Sequence, residues 1–190
     1  NPLQFSRQVL RDGIGTRELF VGEHFAFGKG RAGRIADLLE FGAQFGFRVH
    51  PMPPVTIDGE IVSSTRIRQM IQAGELQKAM RFLGRPYGIE GTVIVGARRG
   101  TDLGWPTANL RFPEGRVIPP DGVYAARVRW NKRRLDSVVY IGTRPTFGAG
   151  ERLLEVSILD ERLELYGETI RVELLGFIRE DRVFPSAEAL

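Results

Sequence analysis

Thr107 and Asn109 stand two residues apart in the run GARRGTDLGWPTANL, from Gly96 to Leu110. At that spacing an extended segment turns both side chains to one side. Two neutral oxygens so placed suit Mg²⁺, which takes few protein ligands and completes its shell with water and substrate phosphates. Gly96, Gly100 and Gly104 let backbone N–H groups approach an anion, and Arg98 and Arg99 bring permanent charge. The run reads as a loop around the phosphates of a metal-bound nucleotide. It is not a P-loop, since no Gly-Lys-Ser/Thr is present and no helical pattern follows. Glycine and proline alone would describe an ordinary hairpin connection; Thr107 and Asn109 tip the reading toward function.

Glu155 is a second candidate. In the strand-like stretch 151–159, Leu154, Val156 and Ile158 share one face, leaving Glu155 on the other with Leu153 and Ser157. A carboxylate on a rigid strand can serve as a base, although spacing alone favours a solvated carboxylate. Ser63-Ser64-Thr65-Arg66-Ile67-Arg68 combines hydroxyls, free N–H groups and arginines at a helix start. That describes an anion site and a plain helix cap about equally well. Gly22 to Arg31 could line a nucleotide crevice at a strand's carboxyl end, with Phe25 and Phe27 read as core. The only histidines, His24 and His50, indicate neither a Ser-His-Asp set nor a histidine metal site.

The elements that must position these residues fall into two parts. The first predicts a strand at 18–21, a helix within 31–46, a strand at 47–52 and helices over 63–73 and 75–82. Leu83-Gly84-Arg85-Pro86 reads as a boundary. Beyond it, 87–95, 122–130, 135–141, 151–159 and 169–178 read as strands with turn signals between them, which suggests a small antiparallel barrel. Tyr124, Ala126, Val128 and Trp130 share one face of the second of these. The domains are thus expected at 1–86, α/β, and 87–190, all-β. The 190 residues are 42% apolar, enough for a core, and contain no cysteine, which excludes disulfides and thiol chemistry. Neither a membrane span nor a signal peptide is read, and a cytoplasmic location fits. Residues 1–86 hold 12 Lys/Arg against 8 Asp/Glu, and 87–190 hold 15 against 15. That excess suits nucleotide phosphates and is weak for nucleic acid.

Taken in order, VGEHFAFGKGRAG, VSSTRIR, LGRPY, GARRGTDLGWPTANL, DGVYAARV, YIGTRPTFG, LEVSILD, ELYGE and FIREDRVF resemble the bacterial bifunctional riboflavin kinase and FMN adenylyltransferase family, or FAD synthetase. The PTAN run followed by Gly-Thr-Arg-Pro-Thr-Phe is the most specific part. The resemblance implies a Rossmann-like nucleotidyltransferase domain followed by a six-stranded antiparallel kinase barrel. It also implies transfer of phosphoryl from ATP to riboflavin, giving FMN, and adenylylation of FMN to FAD. By position, Thr107 and Asn109 would hold Mg²⁺, and Gly96, Arg99, Gly100 and Gly104 would surround the ATP phosphates. Tyr124 would lie near the nucleotide and Glu155 would be the base. Arg179 and Phe184 would close over the flavin, while Ser64, Thr65 and Arg66 would contact ATP in adenylyl transfer.

The family's Gly-Phe-Asp start, its His-x-Gly-His motif and its C-terminal helix are not found, so the chain reads as a fragment expected to lack FAD synthesis. His24 and Ala26 depart from the family pattern in the adenylyltransferase half. Tyr140, where Asn is frequent, and Trp105, where Phe is usual, read as packing changes. The alternatives are a small basic barrel binding nucleic acid without catalysis, and a nucleotidyltransferase whose barrel only binds substrate.

Overall fold

The computed structural model describes residues 1–94, 107–143 and 152–182. It divides into two compact units, Asn1–Val62 and Ser63–Leu190.

In the first unit, helix α1 (Pro2–Gln4) opens on a capping box at Asn1 and runs on as a π-helical stretch, Phe5–Gly13. Strand β1 (Glu18–Gly22), helix α2 (Ile35–Phe45) and strand β2 (Arg48–Met52) then form a βαβ unit. β1 and β2 are parallel, with Phe20 opposite His50. A parallel pair needs a crossover, and α2 supplies it. Leu38 of α2 packs with Leu10, Val21, Phe27 and Phe47 in this unit's core. A small hairpin follows, β3 (Thr56–Ile57) and β4 (Glu60–Ile61). Its turn residues Asp58 and Gly59 both take positive φ, 52° and 77°, as a two-residue hairpin turn requires.

The second unit opens with helix α3 (Ser64–Gln72), where the Ser63 Oγ accepts from the Arg66 N–H at 3.3 Å. Helix α4 (Leu76–Leu83) buries Leu76, Ala79 and Phe82, and Leu76 joins the barrel core. The barrel itself comprises β5 (Tyr87–Ile94), β6 (Ala108–Arg111), β7 (Gly122–Trp130), β8 (Arg133–Thr143), β9 (Arg152–Ile158) and β10 (Thr169–Arg179). These close in the order β10-β5-β6-β9-β8-β7, every pairing antiparallel. Closure leaves no open edge, and inward side chains such as Ile89, Leu110, Val128, Val139, Leu154 and Val172 fill the interior.

The expected six-stranded antiparallel barrel is therefore present. Its sixth strand, β6, comes from the PTAN run itself, where the sequence signals read as loop. β8 is longer than the apolar stretch 135–141 because Asn131 and Lys132, at φ 45° and 65°, make a tight turn straight from β7. At Gly91 of β5 the neighbouring strand comes so close that a Cβ would strike the Arg111 carbonyl, so β5 and β6 pair closely only without a side chain there.

Candidate active site

Strand register assembles the site. Asn109 on β6 lies opposite Glu155 on β9, and Glu155 lies opposite Tyr140 on β8. Tyr140 in turn opposes Val123 on β7, and Val123 opposes Arg179 on β10. One transverse row thus runs Asn109–Glu155–Tyr140–Val123–Arg179 across five strands. Residues directly opposite in an antiparallel ladder share a face, so Asn109, Glu155 and Tyr140 project together. Neighbouring strands are about 4.8 Å apart, which brings the Asn109 and Glu155 side chains within reach of one small ligand. Arg179 enters the row because a bulge between Phe177 and Arg179 moves the register by one residue.

Burial separates this row from an ordinary barrel exterior. Glu155 alternates with the inward Leu154 and Val156, and so faces away from the core, yet it is only 7% exposed. The solvated carboxylate that spacing favoured is not what the fold contains. Asn109, likewise only 7% exposed, lies beside it. Burying a carboxylate costs several kcal/mol unless neighbours compensate, so a fold that keeps one here has placed it in a specialised environment.

Thr107 is the residue before β6. It lines a cleft of about 360 Å³ with Ala108, Val93 and Val156 on the barrel side and residues 161–166 opposite. Among the described residues, neither the Thr107 hydroxyl nor the Asn109 amide is taken by another protein group. Both are hard neutral oxygens, and no cluster of three His, Asp or Glu able to hold a metal occurs among the described residues. This donor set fits an ion such as Mg²⁺ that is chelated mainly by phosphates and water, and it does not fit zinc.

Tyr124 belongs to the barrel interior. It is 0% exposed, packs edge-on against Phe177 at 5.3 Å, and donates its hydroxyl to the Pro120 carbonyl at 2.5 Å. Burial raises its pKa above 10.0; Arg152 opposes that shift and Asp121 adds to it. Tyr87 makes a matching bond to the Val117 carbonyl at 2.7 Å, and its pKa is also raised by burial. Arg152 reaches the Pro119 carbonyl at 3.0 Å and pairs with Asp121. These contacts fix the connection that delivers β7 to the row.

Ser64, Thr65 and Arg66 form the exposed first turn of α3, while Ser63 does the capping. His24 is exposed beside Glu23, and His50 stacks on Phe20 at 4.5 Å. Gly96, Arg99, Gly100, Gly104, Trp105 and Phe184 lie outside the described residues. The structure thus gathers Asn109, Glu155 and Arg179 in one row with Thr107 at its entrance. Sequence reading passed over the polar member between Glu155 and Val123. Tyr140 read as a packing change, and only the β8–β9 register reveals it beside Glu155.

Residues 83–190 match the model of the riboflavin kinase (flavokinase) family, and residues 1–66 match that of FAD synthetase. The chain belongs to the riboflavin kinase family. It is 39% identical to the bifunctional riboflavin kinase/FMN adenylyltransferase of Pseudomonas fluorescens, over 98% of this chain and 60% of that protein. Against the protein of the same name from Escherichia coli K12, identity is 36%, over 98% of this chain and 59% of that protein. The chain spans about three-fifths of the length of these curated relatives. A crystal structure described as a macrolide-efflux protein from Streptococcus pneumoniae matches with a TM-score of 0.82 and 32% identity, over 97% of this chain and 62% of that one. Among the described residues of this riboflavin kinase family member, no helix is long and apolar enough to cross a membrane.

Proposed function

We propose that the barrel phosphorylates riboflavin, moving the γ-phosphoryl group of ATP to the ribityl 5′-hydroxyl and releasing FMN and ADP. The observation that carries this reading is the pairing of Asn109 with Glu155, both 7% exposed, on adjacent strands. On this reading a metal-ligand amide and a base would stand side by side on rigid elements. Thr107 and Asn109 would hold Mg²⁺, whose chemistry is to neutralise charge on the ATP phosphates. The cleft beside Thr107 offers an apolar floor of Val93, Ala108, Val156 and Ile158 for the nucleotide's base.

Glu155 takes the proton of the 5′-hydroxyl as that oxygen bonds to the γ-phosphorus, and the bond from phosphorus to the β-γ bridging oxygen breaks. Phosphoryl transfer asks little covalent chemistry of a protein, so orientation supplies most of the rate. Arg179, at the far end of the row, is assigned to the flavin. Tyr124 we assign to holding the Pro120 connection, since its hydroxyl and ring are already committed there.

The second activity in the relatives' names, adenylylation of FMN, would use Ser64, Thr65 and Arg66 as contacts to ATP. Mixing the chain with riboflavin and MgATP and separating flavins by fluorescence-detected chromatography tests the kinase reading. FMN should accumulate with ADP. Folded protein that makes none would refute it.

A further inference from the structure

Tyr140 is the member of the row that the transfer chemistry leaves unused, and it stands between the base and the flavin side. It lies one strand from Glu155 and two strands from Arg179. Its hydroxyl donates to Asp181 Oδ2 at 3.1 Å. The other oxygen of Asp181 accepts the Arg182 N–H at 2.9 Å, and the Arg179 guanidinium donates to the Glu180 carbonyl at 3.0 Å. The stretch 179–182 is therefore knotted locally, and Tyr140 ties the knot to β8. Room for the phenol comes from Gly142, where any side chain would run into the Tyr140 hydroxyl.

Resting on the kinase reading, we infer that Tyr140 is a positioning residue for the flavin substrate. By fastening Asp181 it sets where Arg179 stands relative to Glu155, and so where a flavin's side-chain hydroxyl meets the base. It touches no reacting atom. A tyrosine with only a packing role would change melting and affect both substrates alike; this tie acts on the flavin alone.

The test uses the whole 190-residue chain. Riboflavin binding is read by quenching of flavin fluorescence in the presence of MgADP, and KM is measured separately for riboflavin and MgATP. Tyr140→Phe keeps the ring and removes only the hydroxyl. The riboflavin Kd and KM should each rise about tenfold, as expected on losing a hydrogen bond to a charged group. KM for MgATP should stay within about twofold, and kcat should fall by less than KM rises. Asp181→Ala should reproduce the riboflavin effect, and the double variant should lose no more than either single change. Equal riboflavin affinity in wild type and Tyr140→Phe, or additive losses in the double variant, would overturn the inference. A wild type that binds riboflavin through Tyr140 yet forms no FMN would remove the kinase reading and leave this one standing. A wild type that binds no riboflavin would overturn both.

Discussion

Glu155 and Asn109 lie opposite each other across the β6–β9 ladder, both buried, and one substitution at either tests its proposed role. Glu155→Gln keeps size and polarity but removes the proposed base. FMN formation should fall by about 10²- to 10⁴-fold, the usual worth of a positioned base, with MgATP binding retained. Steady-state rates alongside calorimetric MgATP titration check this, and retained turnover would take Glu155 out of the role. Asn109→Ala and Thr107→Ala act on the other partner. Even outer-shell metal contacts are worth about 10- to 100-fold in metal affinity, so if either proposed ligand supplies a direct oxygen, its loss should cost at least that in Mg²⁺-dependent ATP binding. Unchanged binding would move the metal elsewhere. The sequence made the PTAN oxygens legible because spacing along one extended segment is local. It could not make Tyr140 legible, because its neighbourhood with Glu155 depends on how β8 and β9 pair, a non-local fact that no window of the chain contains.

At the level of elements, β6 must approach β5 closely for Asn109 to be where it is, and Gly91 permits this. In Gly91→Ala the new methyl group meets the backbone carbonyl of Arg111, which has no rotamer by which to yield. The strands must separate, at a cost of about 1–3 kcal/mol as in other overpacked sites. Urea unfolding should show that loss together with a reduced kcat/KM; an undisturbed midpoint would contradict the close approach. The connection before β7 gives a pH-dependent test. Tyr124 has its pKa raised above 10.0 by burial, so the fold holds it neutral while the unfolded chain ionises first. Its contribution is complete below pH 10 and declines as pH rises through the folded value. Tyr124→Phe should cost about 1 kcal/mol at pH 7 through the lost bond to Pro120, and the gap to wild type should narrow above about pH 10. Thermal melts across pH 7–11 measure it. Five strands were visible from alternation and turn residues. β6 was not, because Ala108–Arg111 follows a glycine- and proline-rich run and is strand only through pairing on both sides.

For the whole molecule, the two units differ in what they bring together. The barrel closes on itself and carries Asn109, Glu155 and Arg179, the residues proposed for the metal, the proton and the flavin, on one row. The first unit presents a sheet of two parallel strands joined by a single crossover, with Phe20 at 62% exposure on it. Parallel sheets normally bury both faces, and nucleotides bind where two crossovers diverge at a switch in strand order. A single βαβ unit contains no such switch. Its two histidines also offer no phosphate-binding pair: His50 is stacked on Phe20, and His24 lies exposed beyond the end of β1. The expected division of labour follows. Supplied with riboflavin and MgATP, the chain should stop at FMN. Supplied with FMN and MgATP, it should yield neither FAD nor pyrophosphate above the no-enzyme control, even at enzyme concentrations that exhaust riboflavin in the first assay. The FMN arm decides the matter because it bypasses the barrel. Time-dependent FAD in that arm would mean that a single βαβ unit does not prevent adenylyl transfer, and it would overturn this division of labour.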